Sequence, residues 1–273
     1  MATNSLSPDR VSSDSLSPEQ VARYERDGIL FPVSVLSRDE VARARAAFEE
    51  IESRCGGKLE YAAWLHLFFR WAYDLATHPS VLNAVERLIG HDILASSTLL
   101  LCKHPRSSSY TSWHQDGAYS SLHLTPTTTA WLALSDSNAE SGCMRVLPGS
   151  HKRDILPHVE PRADDDLLRR GGSVRLDVDE RDTRDVVLRA GEMSLHHSKL
   201  VHGSGANRAG EKRIGFIVRY VTPQFKHAAA PVVRARGGGD CRHFEIVREP
   251  PIMDMDAGFA AWAEHVSGAQ ARQ

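Results

Sequence analysis

The chain has 273 residues, 41% of them hydrophobic, with 33 basic and 35 acidic side chains and a formal net charge of −2. That is enough apolar sequence for one substantial core, without the basic stripe that marks a nucleic-acid binder. No apolar run approaches the roughly 20 residues of a membrane-spanning helix, and the widely spaced Cys55, Cys102, Cys143 and Cys241 suit neither a disulfide framework nor a C-x-x-C metal knuckle. Reduced thiols, a cytoplasmic location, and no nucleic-acid or membrane partner are the expectation.

Residues 1–16 are rich in Ser and Asp and lack an apolar h-region, so a frayed tail is expected rather than a signal peptide. Ser17-Pro18-Glu19-Gln20 then opens a helix: Ser17 caps, Pro18 suits the first turn, Gln20 sits three residues after the cap, and Gly28 ends it. Residues 29–33 form a short strand. Ser37 caps a second helix whose Val41, Ala44, Phe48 and Ile51 share one face. Residues 64–75 are a dense aromatic segment, helical or extended, and 79–89 are a helix closed by Gly90.

From Ile93 the texture becomes β-rich. Short apolar runs at 93–103, 127–135, 143–147, 185–188, 193–196 and 214–221 are separated by turn residues such as Pro105, Ser141-Gly142, Pro148-Gly149, Gly191 and Gly203. This pattern predicts a sandwich or barrel with helices packed outside. The charged stretch 157–184, with Asp164-Asp165-Asp166, is strand-poor and is either a solvated loop or a lid. Gly237-Gly238-Gly239 marks a flexible turn, and 255–266 a last short helix.

The chemistry-bearing segment is Trp113-His114-Gln115-Asp116-Gly117. On a strand, residues i and i+2 point to one face, so His114 and Asp116 can reach one metal together. The segment 195–205, containing His196, His197 and His202, supplies candidates for a third ligand. Two histidines and one carboxylate leave three coordination positions open, which suits a non-haem Fe(II) that must bind a co-substrate and O2 together. H-x-D alone is a weak signal. Arg213, eleven residues after His202 at the head of an apolar strand, strengthens it, because a buried arginine there can grip a carboxylate in bidentate fashion.

These segments resemble the phytanoyl-CoA dioxygenase family of Fe(II)- and 2-oxoglutarate-dependent oxygenases. The resemblance runs from about Leu16 to about Phe225. It is carried by Leu16-Ser17-Pro18-Glu19-Gln20, Trp113-His114-Gln115-Asp116-Gly117, the stretch from Ser141 through Pro148-Gly149-Ser150-His151, and His202-Gly203-Ser204-Gly205-Ala206-Asn207-Arg208 followed by Arg213. It implies a mainly β fold with flanking helices, a double-stranded β-helix (a jelly-roll, cupin-like barrel). The implied layout is a single domain over 17–273, divided into a helical part 17–92, a barrel core 93–225 and a C-terminal extension 226–273. It further implies Fe(II), 2-oxoglutarate and O2 as cofactor and co-substrates. His114, Asp116 and His202 match the iron triad, Arg213 the arginine for the far carboxylate of 2-oxoglutarate, and Ser204, Trp131 and Thr111 further co-substrate contacts. Halogenating relatives carry Gly or Ala where this chain has Asp116, so the resemblance favours hydroxylation.

The substrate is expected to be a small molecule, free or linked to CoA or a carrier protein, in natural-product assembly or in catabolism of an unusual carbon or phosphorus source. Lys103, Tyr119, Arg219 and His197 are candidates to touch it; Arg219 falls on the strand face of Arg213 by parity. Desaturation, epoxidation, ring closure or demethylation on the same iron are alternatives. So is a cupin-like barrel that binds metal without turnover. A zinc hydrolase with the same ligands gives Arg213 no role.

Overall fold

The computed structural model describes residues 15–119, 124–159, 165–168, 172–174, 178–226, 231–247, 251 and 254–270. The expected tail, 1–16, falls almost wholly outside them. Helix α1 (Pro18–Asp27) carries the expected capping box: Ser17 Oγ accepts from the Gln20 amide while the Gln20 side chain accepts from the Ser17 amide. Gly28 closes it in the left-handed region, φ 78°. α2 (Arg38–Arg54) repeats the device with Ser37 and Glu40. α3 (Arg70–Ala76) and α4 (Pro79–Ile89) complete the N-terminal helices, and α5 (Met255–Gln270) closes the chain.

The strands, in chain order, are β1 (Ile29–Ser34), β2 (Tyr61–Ala63), β3 (Ile93–Lys103), β4 (Thr111–His114), β5 (Thr127–Ala133), β6 (Met144–Val146), β7 (His158–Val159), β8 (Ser173–Val174), β9 (Arg184–Val186), β10 (Glu192–His196), β11 (His202–Ser204), β12 (Arg213–Val221), β13 (Val232–Arg236) and β14 (Ile246–Val247). The major sheet runs β1-β10-β5-β12-β3-β13-β14, with β2 also paired to β3, and the minor sheet runs β4-β11-β6-β9. Apart from the β13–β14 pair, these ladders are antiparallel. Two facing sheets of this kind, with helices outside, form the double-stranded β-helix.

Strand alternation divides the major sheet into two chemistries. Leu100 and Cys102 of β3, Ala130 and Leu132 of β5, and Ile214, Phe216, Val218 and Tyr220 of β12 pack with residues of α1–α4 in one core. The intervening residues face the barrel interior. Trp131, Ala133 and Ile217 pack there with Met144 and Val146 of the minor sheet, and Leu99 and Leu101 lie against them.

Two expectations change. The aromatic segment 64–75 is neither one helix nor one strand: β2 precedes it, a 3-10 turn covers Leu65–Leu67, and α3 begins only at Arg70. The last helix extends beyond 266 to Gln270. Among its described residues the strand-poor stretch 157–184 carries the two-residue strands β7 and β8, which pair, and Tyr110 bridges to Asp166. All four cysteines are free thiols, and no helix among the described residues is long and apolar enough to cross a membrane.

Candidate active site

β4 and β11 pair with His114 directly opposite His202, which brings the two imidazoles to 4.0 Å between ring centroids. β4 ends at His114, so Asp116 is not on the strand as the i, i+2 argument assumed; it opens a 3-10 turn (Asp116–Tyr119). The turn still brings Asp116 Oδ1 to 3.8 Å from His114 Nε2. One ligand atom from each of His114, Asp116 and His202 lies within 4.8 Å of the others, and all three residues are buried. Gln115 is turned the other way and fixes the bend, donating to Lys199 O at 2.7 Å and accepting from the Leu156 amide at 2.8 Å.

The donors are preset for a cation. His114 Nδ1 is 2.8 Å from Ser112 O and His202 Nδ1 is 2.9 Å from Leu200 O, so the protons belong on Nδ1 and each Nε2 is left as a ligand. Burial pushes both histidines below their ordinary range, keeping the rings neutral. Burial would raise the Asp116 carboxyl, but the Arg219 guanidinium, with His196 and His202 beside it, holds it well below the usual carboxylate range. Two neutral imidazoles and one carboxylate are the protonation states a divalent transition metal requires, and the set fits Fe(II).

A second cluster adjoins the cavity, which Arg213 and Ser204 line. Arg213 and Lys103 are paired residues on β12 and β3, and both are buried. Arg213 lies over the Trp131 ring, 4.5 Å from its centroid, and its Nε makes only a long 3.5 Å contact to Ser137 Oγ. Lys103 Nζ reaches Ser204 Oγ at 2.7 Å, Gly142 O at 3.3 Å and the Gly205 carbonyl. Among the described residues neither cation has a carboxylate at ion-pairing distance. Burial pushes the Lys103 ammonium down to about 6, with Arg213 adding to the effect, and the Arg213 guanidinium down to about 10. A buried guanidinium without an acid costs several kcal/mol unless an anion joins it, and the same anion would favour the charged form of Lys103. A dicarboxylate with one end here fits that requirement.

The remaining candidates divide. Thr111 pairs with Ser204 and lines the cavity, as does Trp131. Lys103, expected to meet substrate, instead joins Arg213 and Ser204. Arg219 does share the Arg213 face, but its Nη2 donates to Asp116 Oδ1 at 2.8 Å. His197 is a correction: it does not line the cavity, its Nδ1 accepts from the Lys199 amide at 3.0 Å, and its ring packs 5.3 Å from that of His151. The reason is strand parity. His196 ends β10 facing inward, 4.7 Å from the His202 ring and with Nε2 3.4 Å from Asp116 Oδ2, so its neighbour must face out. The Tyr119 side chain lies outside the described residues. Of the third-ligand candidates in 195–205, His196 faces the site beside the triad, whereas sequence reasoning missed Thr129, whose Oγ1 donates to Asp116 Oδ2 at 3.0 Å; being two residues before Trp131, Thr129 was accessible by parity.

Comparison with known proteins agrees with this geometry. The family described as phytanoyl-CoA dioxygenase (PhyH) matches residues 24–215. The peroxisomal phytanoyl-CoA dioxygenase of Rattus norvegicus is 29% identical over 245 residues, covering 80% of this chain and 72% of that enzyme; its Homo sapiens counterpart is covered over 66% of its length. Among solved structures, the non-haem monooxygenase ThoJ in its apo form is 32% identical with a TM-score of 0.76, covering 93% of this chain and 96% of that one. The epimerase SnoN, in complex with Fe3+, alpha-ketoglutarate and nogalamycin RO, is 26% identical with a TM-score of 0.61, covering 78% and 86%. The chain belongs to the phytanoyl-CoA dioxygenase family. It is a non-haem iron oxygenase whose co-substrates are 2-oxoglutarate and O2.

Proposed function

We propose that this enzyme hydroxylates an aliphatic C–H bond of a small-molecule substrate, free or linked to CoA or a carrier, releasing succinate and CO2. In this reading His114, Asp116 and His202 hold Fe(II), and Arg213 holds the far carboxylate of 2-oxoglutarate, with Lys103, Ser204, Thr111 and Trp131 around it. The observation that carries the reading is the pairing, in one cavity, of a buried two-histidine, one-carboxylate set with the buried Arg213, which among the described residues has no carboxylate at ion-pairing distance. Bound iron supplies O2 activation coupled to oxidative decarboxylation of the keto acid.

The protein's own part is orientation and exclusion. Arg213, braced by the indole beneath it, fixes one end of the dicarboxylate so that its keto end points toward the triad. Leu99, Leu101 and Ile217 line the space between and keep it dry. The Asp116 carboxylate, where halogenating relatives carry Gly or Ala, favours hydroxyl transfer in this reading.

Anaerobic addition of Fe(II) and then 2-oxoglutarate should produce a visible metal-to-ligand charge-transfer band that saturates at one equivalent. Asp116→Ala should abolish hydroxylation, and unchanged hydroxylation would remove Asp116 from the iron site. Iron binding without the band would remove the keto acid from the centre. A second reading, ring closure or epimerisation on the same iron, is favoured by the likeness to SnoN, described as an epimerase, and to SnoK, described as a carbocyclase (28% identical, TM-score 0.60, covering 79% of this chain and 88% of that one). Product mass separates the two, since only hydroxylation adds an oxygen atom.

A further inference from the structure

The cavity is larger than an iron ion and a five-carbon keto acid require. Its volume is about 1010 Å3, at the top of the roughly 300–1,000 Å3 that encloses drug-sized ligands. The triad, with Arg213, Arg219 and Ser204, accounts for much of the polar lining. Leu99, Leu101, Met144 and Ile217 of the barrel, with Leu167 and Leu168 of the stretch after β7, give it a broad apolar wall beside Ser97 and Thr98. A free amino acid or a small inorganic anion would leave most of this surface wet.

Part of the wall comes from outside the barrel and is aromatic. Tyr61 of β2, Trp64 just after it, and Trp262 and His265 of α5 line it together. Trp64 has φ 65° and ψ 15°, a left-handed conformation rare for a bulky side chain and found where surroundings impose it. Its amide donates to Thr98 O at 2.9 Å, and its ring meets His265 edge-on at 6.4 Å. α5 is fastened in place. Trp262 Nε1 donates to Ala63 O at 2.8 Å, Asp256 pairs with Arg54 at 2.7 Å, and Arg54 also lies over the Phe259 ring at 5.7 Å. Gly258 sits so close to the chain before α3 that an added Cβ would be 2.9 Å from Phe68 O.

We infer that the substrate is a drug-sized, largely apolar molecule bearing a fused or aromatic ring system, and that Trp64 and His265 are the residues that select it. This deepens the oxygenase reading and rests on it. Rigid aromatic walls lose little conformational entropy on binding and match flat, rigid ligands better than flexible chains. The rim charges point the same way. Among the described residues Lys58 is the cation on the β2 side, and it already faces Glu60 at 3.8 Å, a poor seat for the several phosphate charges of CoA.

The test uses full-length enzyme loaded anaerobically with Fe(II) and 2-oxoglutarate. Three probe classes are titrated against tryptophan fluorescence: fused-ring phenols (2-naphthol, 1-hydroxyanthraquinone, estradiol), palmitoyl-CoA, and L-proline. At least one ring probe should bind tenfold or more tightly than the other two classes. Trp64→Gly, which relieves the backbone while deleting the ring, and His265→Ala should each weaken that probe about tenfold and leave the charge-transfer band and its 2-oxoglutarate midpoint unchanged. Preference for palmitoyl-CoA or proline, no ring probe ahead of them, or unaltered ring binding in both variants would overturn the inference while the band stands. Absence of the band in the wild type would instead bring down the oxygenase reading.

Discussion

Arg219 on β12 reaches Asp116, its Nη2 donating to Oδ1 at 2.8 Å, and that same oxygen lies 3.8 Å from His114 Nε2. Thr129 donates to the other oxygen at 3.0 Å. The proposed carboxylate ligand is therefore oriented through both oxygens by neighbouring strands. Residues that orient a ligand in this way typically contribute about 10–100-fold to metal affinity. Arg219→Gln should weaken Fe(II) binding by about that range, and Arg219→Lys, which keeps the charge but not the fork, should recover part of it. Anaerobic competition against a chromophoric chelator measures this directly; an unchanged midpoint would show that Arg219 does not support the metal.

Gly215 lies two residues beyond Arg213 on the inner face of β12, and a Cβ there would overlap the Trp131 ring. The missing side chain is what lets the indole lie under the guanidinium. Gly215→Ala should displace Trp131 and weaken 2-oxoglutarate binding about tenfold, a loss of about 1.4 kcal/mol. Arg213→Gln removes the charge itself and should cost about 1.5–3 kcal/mol, the usual value of a hydrogen bond to a charged group. Titration of the charge-transfer band with 2-oxoglutarate at saturating Fe(II) reports both. Equal affinity in the two variants and the wild type would place the co-substrate elsewhere.

Much of this was legible in the sequence because local chemistry dictated it. The Ser17 and Ser37 caps, the Pro79 start and Gly90 stop of α4, and the β-prone sequence of β3 are decided by residues a few positions apart. What was hidden depends on pairing between distant strands. Lys103 is an isolated strand lysine until β12 sets it opposite Arg213. His196 and His197 are equivalent until β10 fixes which one faces in, and the pairing of His196 with Thr129 across β5 does so. The two-residue strands β7, β8 and β14 carry too few residues for any periodicity to show.

Lys103 gives the co-substrate site a pH dependence whose sign can be worked out. Burial, with Arg213 nearby, puts its ammonium at about 6 in the ligand-free protein, so near pH 7.5 the amine is mostly neutral. A bound dicarboxylate stabilises the ammonium and raises that value. Binding should then take up close to one proton, and affinity should fall as pH rises above about 6 until the bound-state value is passed. Calorimetry in two buffers of different ionisation enthalpy measures the uptake, and Lys103→Met should abolish it. Zero uptake in the wild type would mean that the lysine does not sense the ligand.

Glu52, near the end of α2, is buried behind the same two strands. It holds Lys212, the residue before Arg213, in a close ion pair and lies 3.2 Å from His104 Nε2, while Cys102, the residue before Lys103, completes the cluster. The two basic residues, Arg213 and Lys103, are thus backed, through their chain neighbours Lys212 and Cys102, by a single carboxylate from a helix. Breaking a fully buried pair costs about 3–5 kcal/mol; Lys212 keeps 27% of its side chain exposed against 5% for Glu52, so it can turn to solvent and the cost should be less. Glu52→Ala is expected to destabilise by about 2–3 kcal/mol, lowering Tm by roughly 4–12 °C for a chain of this size. Glu52→Gln keeps the shape and one acceptor oxygen and should lose about half as much. Thermal unfolding of the three proteins decides it: an alanine variant that melts with the wild type would mean that α2 is held by its apolar face alone, through Val41, Ala44, Phe48 and Ile51.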